Sequence, residues 1–247
     1  MGIALTRRGS IAARGYESDG VTAAATLGWG APYYQTTDWS DVGDSDTAWL
    51  KSWVSPGNQW GVKLPEQVEV VNGMLRITGT AGTKTAGQVM FAGADEEWGS
   101  VGARYEFRSR VTQGDDKWAA VALLWPGDGG VWPDDGEVDF YEGPTGTSGG
   151  GGTVNVGFNL HYTNPGHQQI QDDISTNIRE WNNFAVEWIP GSHVSGYRNG
   201  VRFFHTTNLT AVPSGQMWLS LQMDHHAETP ASIPAIWEIA WVRQYLI

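Results

Sequence analysis

The chain of 247 residues contains no cysteine. Disulfides, thiol nucleophiles and cysteine-ligated metals are therefore excluded, and the redox compartment stays open. Charge is also scarce. Charged residues make up 17%, with 15 Lys and Arg against 27 Asp and Glu. A net charge of −12 counts against a nucleic-acid partner, because phosphate binding needs basic surface. No apolar run reaches the length of a membrane-spanning helix, so no membrane partner is expected. Long amphipathic helical patterns and repeats of fixed period are missing too. Arg7, Arg8 and Arg14 precede the stretch Val21-Thr22-Ala23-Ala24-Ala25-Thr26-Leu27. That stretch is too short and interrupted to make a good secretory signal.

What the chain has in excess is glycine, at 33, and tryptophan, at 14. Many turns and many aromatic faces suit a large all-β domain, and the length is enough to bury a substantial core. Most of the tryptophans must serve that core. Residues 1–38 are rich in Gly, Ala and Thr and read as an N-terminal arm, either draped on the domain or used for attachment. Residues 39–247 read as the functional domain.

Short strands separated by turns fill that domain. Val68-Glu69-Val70-Val71, Asn72-Gly73 and Met74-Leu75-Arg76-Ile77 predict a hairpin on an Asn-Gly turn, and Asn199-Gly200 predicts another. In 153–162, Val154, Val156, Phe158, Leu160 and Tyr162 oppose Thr153, Asn155, Gly157, Asn159 and His161. The strands at 103–111, 184–189 and 217–224 divide their faces in the same way. One core face per strand predicts a sandwich of two antiparallel sheets.

One strand breaks the pattern. Gly136-Glu137-Val138-Asp139-Phe140-Tyr141-Glu142-Gly143 places three carboxylates within six residues. Like charges crowded on one strand repel and raise one another's pKa, a cost with no structural return. Paired carboxylates are, however, what glycoside hydrolysis requires. Glu137 and Asp139 share a face by alternation. Glu142, an odd number of residues from Glu137, would point away in a regular strand. A β-bulge at Phe140-Tyr141 would return it to the Glu137 face. Glu137 and Glu142 would then stand about 5–5.5 Å apart, the separation of retaining enzymes.

Trp132-Pro133-Asp134-Asp135-Gly136 followed by Glu-Val-Asp-Phe-Tyr-Glu resembles the signature of glycoside hydrolase family 16, in its bulged Glu-x-Asp-x-x-Glu branch of laminarinases, agarases, carrageenases and porphyranases. The similarity extends over about residues 39–246 through Thr85-Ala86-Gly87-Gln88-Val89, the strand at 102–110, Asn159-Leu160-His161-Tyr162, Trp181-Asn182-Asn183-Phe184 and Ile239-Ala240-Trp241-Val242. The resemblance implies a concanavalin-like β-jelly roll with a concave substrate cleft. It implies Glu137 as nucleophile, Glu142 as general acid/base and Asp139 as the carboxylate tuning both. Many members of that family carry a calcium with a C-terminal aspartate ligand. Ala240 stands at the matching position, so that calcium site is not expected, a differently built one stays open, and the chemistry needs no metal or organic cofactor.

An open glycan cleft needs aromatic faces and hydrogen-bonding groups. Trp132, Trp125, His161, Gln222 and Trp218 are the candidates. Trp132 matches the family's tryptophan before the nucleophile, while core packing is the alternative for each tryptophan. Trp118 is a weaker candidate. Arg108 is a further candidate contact, with the outer sheet as its alternative. Asp224, His225 and His226 look like metal ligands, but adjacent strand residues point to opposite faces.

The activity implied is that of a retaining endo-β-glycanase. The bulged motif and the acidic charge favour β-1,3- or mixed-linkage β-1,3/1,4-glucan over a galactan such as agarose or carrageenan. A non-catalytic lectin or virion adhesin on the same sandwich is one alternative, and a calcium-dependent adhesion module is another. The expected protein is an extracellular monomer acting on a polysaccharide, with attachment to a virion as the other location.

Overall fold

The computed structural model describes residues 18–44, 47–51, 61–92, 99–127, 129–147 and 152–247. A short helix α1 (Ala23–Leu27) precedes the strands β1 (Tyr34–Thr36), β2 (Val42–Gly43), β3 (Trp49–Lys51), β4 (Val62–Lys63), β5 (Val68–Val71), β6 (Met74–Gly79), β7 (Thr85–Ala86), β8 (Gln88–Phe91) and β9 (Ala103–Gln113). Then follow β10 (Trp118–Pro126), β11 (Glu137–Pro144), β12 (Thr153–Thr163), β13 (His167–Asn177), β14 (Asn182–Ile189), β15 (His193–Arg198), β16 (Val201–Thr206), β17 (Met217–His225) and β18 (Ala235–Tyr245).

These strands make two sheets. The first has the order β13-β12-β11-β10-β17-β8-β3-β2. The second has the order β16-β15-β14-β9-β18-β6-β7-β4, with β1 added to β18 and β5 to β6. Both predicted hairpins form. Asn72 and Gly73 have φ of 53° and 72°, and Asn199 and Gly200 have 49° and 76°. Positive φ at both central positions is what a type I′ turn demands, and Asn-Gly supplies it with least strain.

The core lies between the sheets. Phe107 and Phe184 from the second sheet meet Phe140 and Tyr141 from the first, with ring centroids 4.7–5.7 Å apart. Trp237 stacks on Tyr141 at 5.6 Å and an interplanar angle of 9°. All five side chains are buried. Burying each contributes on the order of 2–3 kcal/mol.

Residues 19–29 lie against the outer face of the second sheet, whereas β1 is a strand within it; residues 1–17 are outside the described residues. Thr22 caps α1 by accepting from the Ala25 N–H at 3.1 Å, and Gly28 ends it at φ 70°. The buried Glu106 carboxylate accepts from the Ala23 N–H at 2.6 Å and the Ala24 N–H at 3.3 Å. Asp19 pairs with Arg243 at 2.7 Å, and Trp29 packs edge-on to Tyr197 and Tyr245.

Arg108, expected as a possible substrate contact, belongs to this outer layer instead. It sits on β9 in the second sheet and donates to Asn183 Oδ1 at 3.0 Å and to the Asp19 carbonyl at 3.3 Å. Alternation placed it on a polar face, but that face is the one the N-terminal segment covers.

Burial pushes the Glu106 carboxyl up to about 7, against the pull of the two amides and Arg243. A carboxyl raised on folding binds its proton more tightly in the folded state. Its stabilising contribution is therefore complete below about 4.5 and is lost as pH rises through about 7. Glu106→Gln is expected to show a smaller fall in melting temperature between pH 5 and pH 8 than the unaltered protein, by on the order of 1–2 kcal/mol in stability. Identical slopes by scanning calorimetry would refute the assignment.

Candidate active site

The bulge forms where the parity argument requires it. Asp139 pairs with Asn159 and Glu142 with Gly157, so Phe140 and Tyr141 stand opposite Phe158 alone. The register with β10 slips at the same place. Two consecutive side chains of β11 thus point into the core, both nearly fully buried. Their packing against Phe107, Phe184 and Trp237 holds the bulge, and the bulge returns Glu142 to the side of Glu137 and Asp139.

Each carboxylate has a distinct setting. Glu137 accepts from Trp132 Nε1 at 2.6 Å. Burial, and next the charge of Asp139, push its carboxyl up to about 8, while His161 and the Trp132 hydrogen bond pull the other way. Asp139 is almost wholly buried and hydrogen-bonded to Glu137. Burial, then the charges of Glu142 and Asp224, raise its carboxyl well above the ordinary range. Glu142 is more open. Asn159 Nδ2 donates to its Oε2, and His226 Nε2 lies 3.9 Å from its Oε1. A cavity of about 230 Å³ opens beside Glu142, lined also by Asp116, Asn159, Pro144 and His226.

The other expected residues fall around this row. His161 lies 3.3 Å from Asp139 and exchanges a 2.8 Å hydrogen bond with His167. Trp132 is 42% exposed, and its ring packs 4.9 Å from that of His167, so it is no core residue. Trp125 is half-buried and continues an apolar strip of Ala119, Val121 and Leu123 along β10. Its register partner on β17 is Trp218, whose Nε1 donates to the Pro126 carbonyl at 3.1 Å. Gln222 accepts from Gln88 and donates to Asp224, both at 2.9 Å. Trp118, by contrast, is buried against His225 at 4.7 Å.

His225 turns away from its neighbours Asp224 and His226, as alternation demands. Asp224 pairs with the buried Lys63, His225 faces Trp118, and His226 faces Glu142. Glu137, Asp139 and His161 are the one group of this kind among the described residues with possible ligand atoms within 4.8 Å of one another. Each is already engaged, with Trp132, with its neighbour in the row or with His167. Ala240 is buried beside Trp241 and Trp181, and its carbonyl accepts from Trp39.

Three residues near the row were not singled out from the sequence: His167, Gln169 and, as a site residue, Asn159. All stand on β12 or β13, and their roles depend on the register between those strands.

No family model and no curated protein matches the chain. Solved structures do. The catalytic domain of an endo-1,3-β-glucanase (laminarinase) from Thermotoga petrophila superposes with a TM-score of 0.66 at 18% identity, covering 87% of this chain and 97% of that one. The fold is that of the glycoside hydrolase family 16 laminarinases. A family 16 enzyme of Bacteroides ovatus in complex with a mixed-linkage glucan product shares it, with a TM-score of 0.68, 13% identity and coverage of 85% and 99%. So does an endo-acting O-glycanase that initiates mucin breakdown, from the human gut microbiota, with a TM-score of 0.70, 16% identity and coverage of 88% and 100%. The laminarinase fold therefore hosts more than one substrate, and chemistry has to be argued from the row itself.

Proposed function

We propose that this chain is a retaining endo-β-glycanase of the family 16 type, acting outside the cell on β-1,3- or mixed-linkage β-1,3/1,4-glucan. The observation that carries this reading is the bulge that puts Glu137, Asp139 and Glu142 on one open face. Glu137 attacks the anomeric carbon as Glu142 passes its proton to the departing glycosidic oxygen, leaving a glycosyl ester on Glu137. Glu142, now ionised, takes a proton from water, and the hydroxide oxygen displaces Glu137. Two inversions return the original configuration.

The surroundings refine the part of Asp139. Burial, and the charges of Glu142 and Asp224, favour its protonated form, against the pull of its hydrogen bond with Glu137. Burial keeps the resting Glu137 carboxyl at about 8, and its ionised form, which accepts the Trp132 N–H, is the one that attacks. Trp132, Trp125 and Trp218 offer ring faces to sugars, and His161 and Gln222 offer hydrogen bonds. Residues 39–247 form the catalytic domain in this reading.

Incubation with laminarin, lichenan and agarose tests it. Reducing ends released from laminarin or lichenan, with the β-anomer first by NMR, are the expected result. Cleavage of agarose alone would move the substrate to galactans. Binding without release from any of the three would mark a lectin or adhesin.

A further inference from the structure

The edge strand β13 reaches the row through a chain of amides. Gln169 Nε2 donates to Asn159 Oδ1 at 2.8 Å, and Asn159 Nδ2 donates to Glu142 Oε2. Because Gln169 occupies the Asn159 carbonyl, the amide is fixed with its N–H group toward Glu142. Gly157, the register partner of Glu142, leaves room for it. A Cβ there would stand 3.3 Å from Asn159 Nδ2, tighter than ordinary contact.

We propose that Asn159 and Gln169 are positioning residues that select the working oxygen of Glu142. This rests on the glycosidase reading above. Oε2 is committed as an acceptor to Asn159. The proton delivered to the glycosidic oxygen therefore travels on Oε1, the oxygen nearer His226. The leaving sugar then occupies the cavity bounded by Asp116, Pro144, Asn159 and His226. Without the amide clamp the carboxyl can rotate about its terminal torsion, which is broad and two-fold, and present either oxygen. Proton delivery loses its geometry while the nucleophile is untouched.

Leaving-group dependence separates this from a merely structural role. A polysaccharide needs the proton, whereas a 2,4-dinitrophenyl β-oligoglucoside departs without one. Asn159→Ala is expected to lower kcat on laminarin or lichenan by about 10²-fold, within the usual range for general acid catalysis, and to leave the first step on the dinitrophenyl substrate within about twofold. Gln169→Leu, on the exposed edge, is expected to show the same split at about tenfold. Equal loss on both substrates, or loss on neither, in variants that melt like the unaltered protein would overturn the clamp. An unaltered protein inactive on both substrates would overturn the glycosidase reading, and the clamp with it.

Discussion

Glu137→Gln is expected to lower reducing-end release by at least about 10⁴-fold, as removal of a nucleophile does elsewhere, while making the protein more stable at neutral and alkaline pH. Both effects follow from one environment. The amide cannot form the glycosyl ester, so the first displacement has no attacking group. Its oxygen can still accept from Trp132, so the hydrogen bond survives. The folded carboxyl lies at about 8, above its ordinary value of 4.5. Its proton is held more tightly in the folded state, so its contribution to stability is complete below about 4.5 and lost as pH rises through about 8. Glutamine does not titrate. At pH 8 the variant should be more stable by on the order of 1–3 kcal/mol, a rise of several degrees in melting temperature, and the difference should fade toward pH 5. Retained turnover would remove Glu137 from its role. A melting temperature that is unchanged or lower at pH 8 would remove the electrostatic account.

The second large effect concerns the bulge. Inserting an alanine between Tyr141 and Glu142 should turn Glu142 off the open face. Activity should fall by about 10²–10⁴-fold for loss of the acid, and burying an unpaired carboxylate should destabilise the fold by several kcal/mol. Deleting Tyr141 should behave differently. Glu-Val-Asp-Phe-Glu is a regular alternation, so the row stays on one face. What is lost is a ring between Trp237 and Phe184, at about 3–5 kcal/mol. The deletion should therefore keep measurable activity in a less stable protein. Paired assays of turnover and thermal melting check both. An active insertion variant would show that face parity does not govern the site.

The bulge was legible because three carboxylates in one octapeptide require a common face that regular alternation denies to Glu142. The Asn-Gly hairpins were legible for the same local reason. Arg108 was not. Alternation reports which side of a strand a residue takes, but not which sheet the strand joins or what covers it. β13 was not legible either. Among its eleven residues only Ile170 and Ile174 are large and apolar, too few to mark a strand. Without β13 the sequence gives no register for His167 against Thr163, or for Gln169 against His161. The contacts Gln169–Asn159 and His167–His161 arise only from that register.

β13 also ends the first sheet. A terminal strand leaves one row of backbone donors and acceptors unpaired, a template on which a second molecule can add. Gln168, Gln169, Gln171, Asp172 and Asp173 are all exposed along it. Glutamines and adjacent aspartates make a hydrated rim that resists such addition. One strand therefore answers to two selections, reaching Glu142 through Gln169 and protecting the molecule from self-association. Replacements along β13 that add apolar surface therefore work against colloidal solubility.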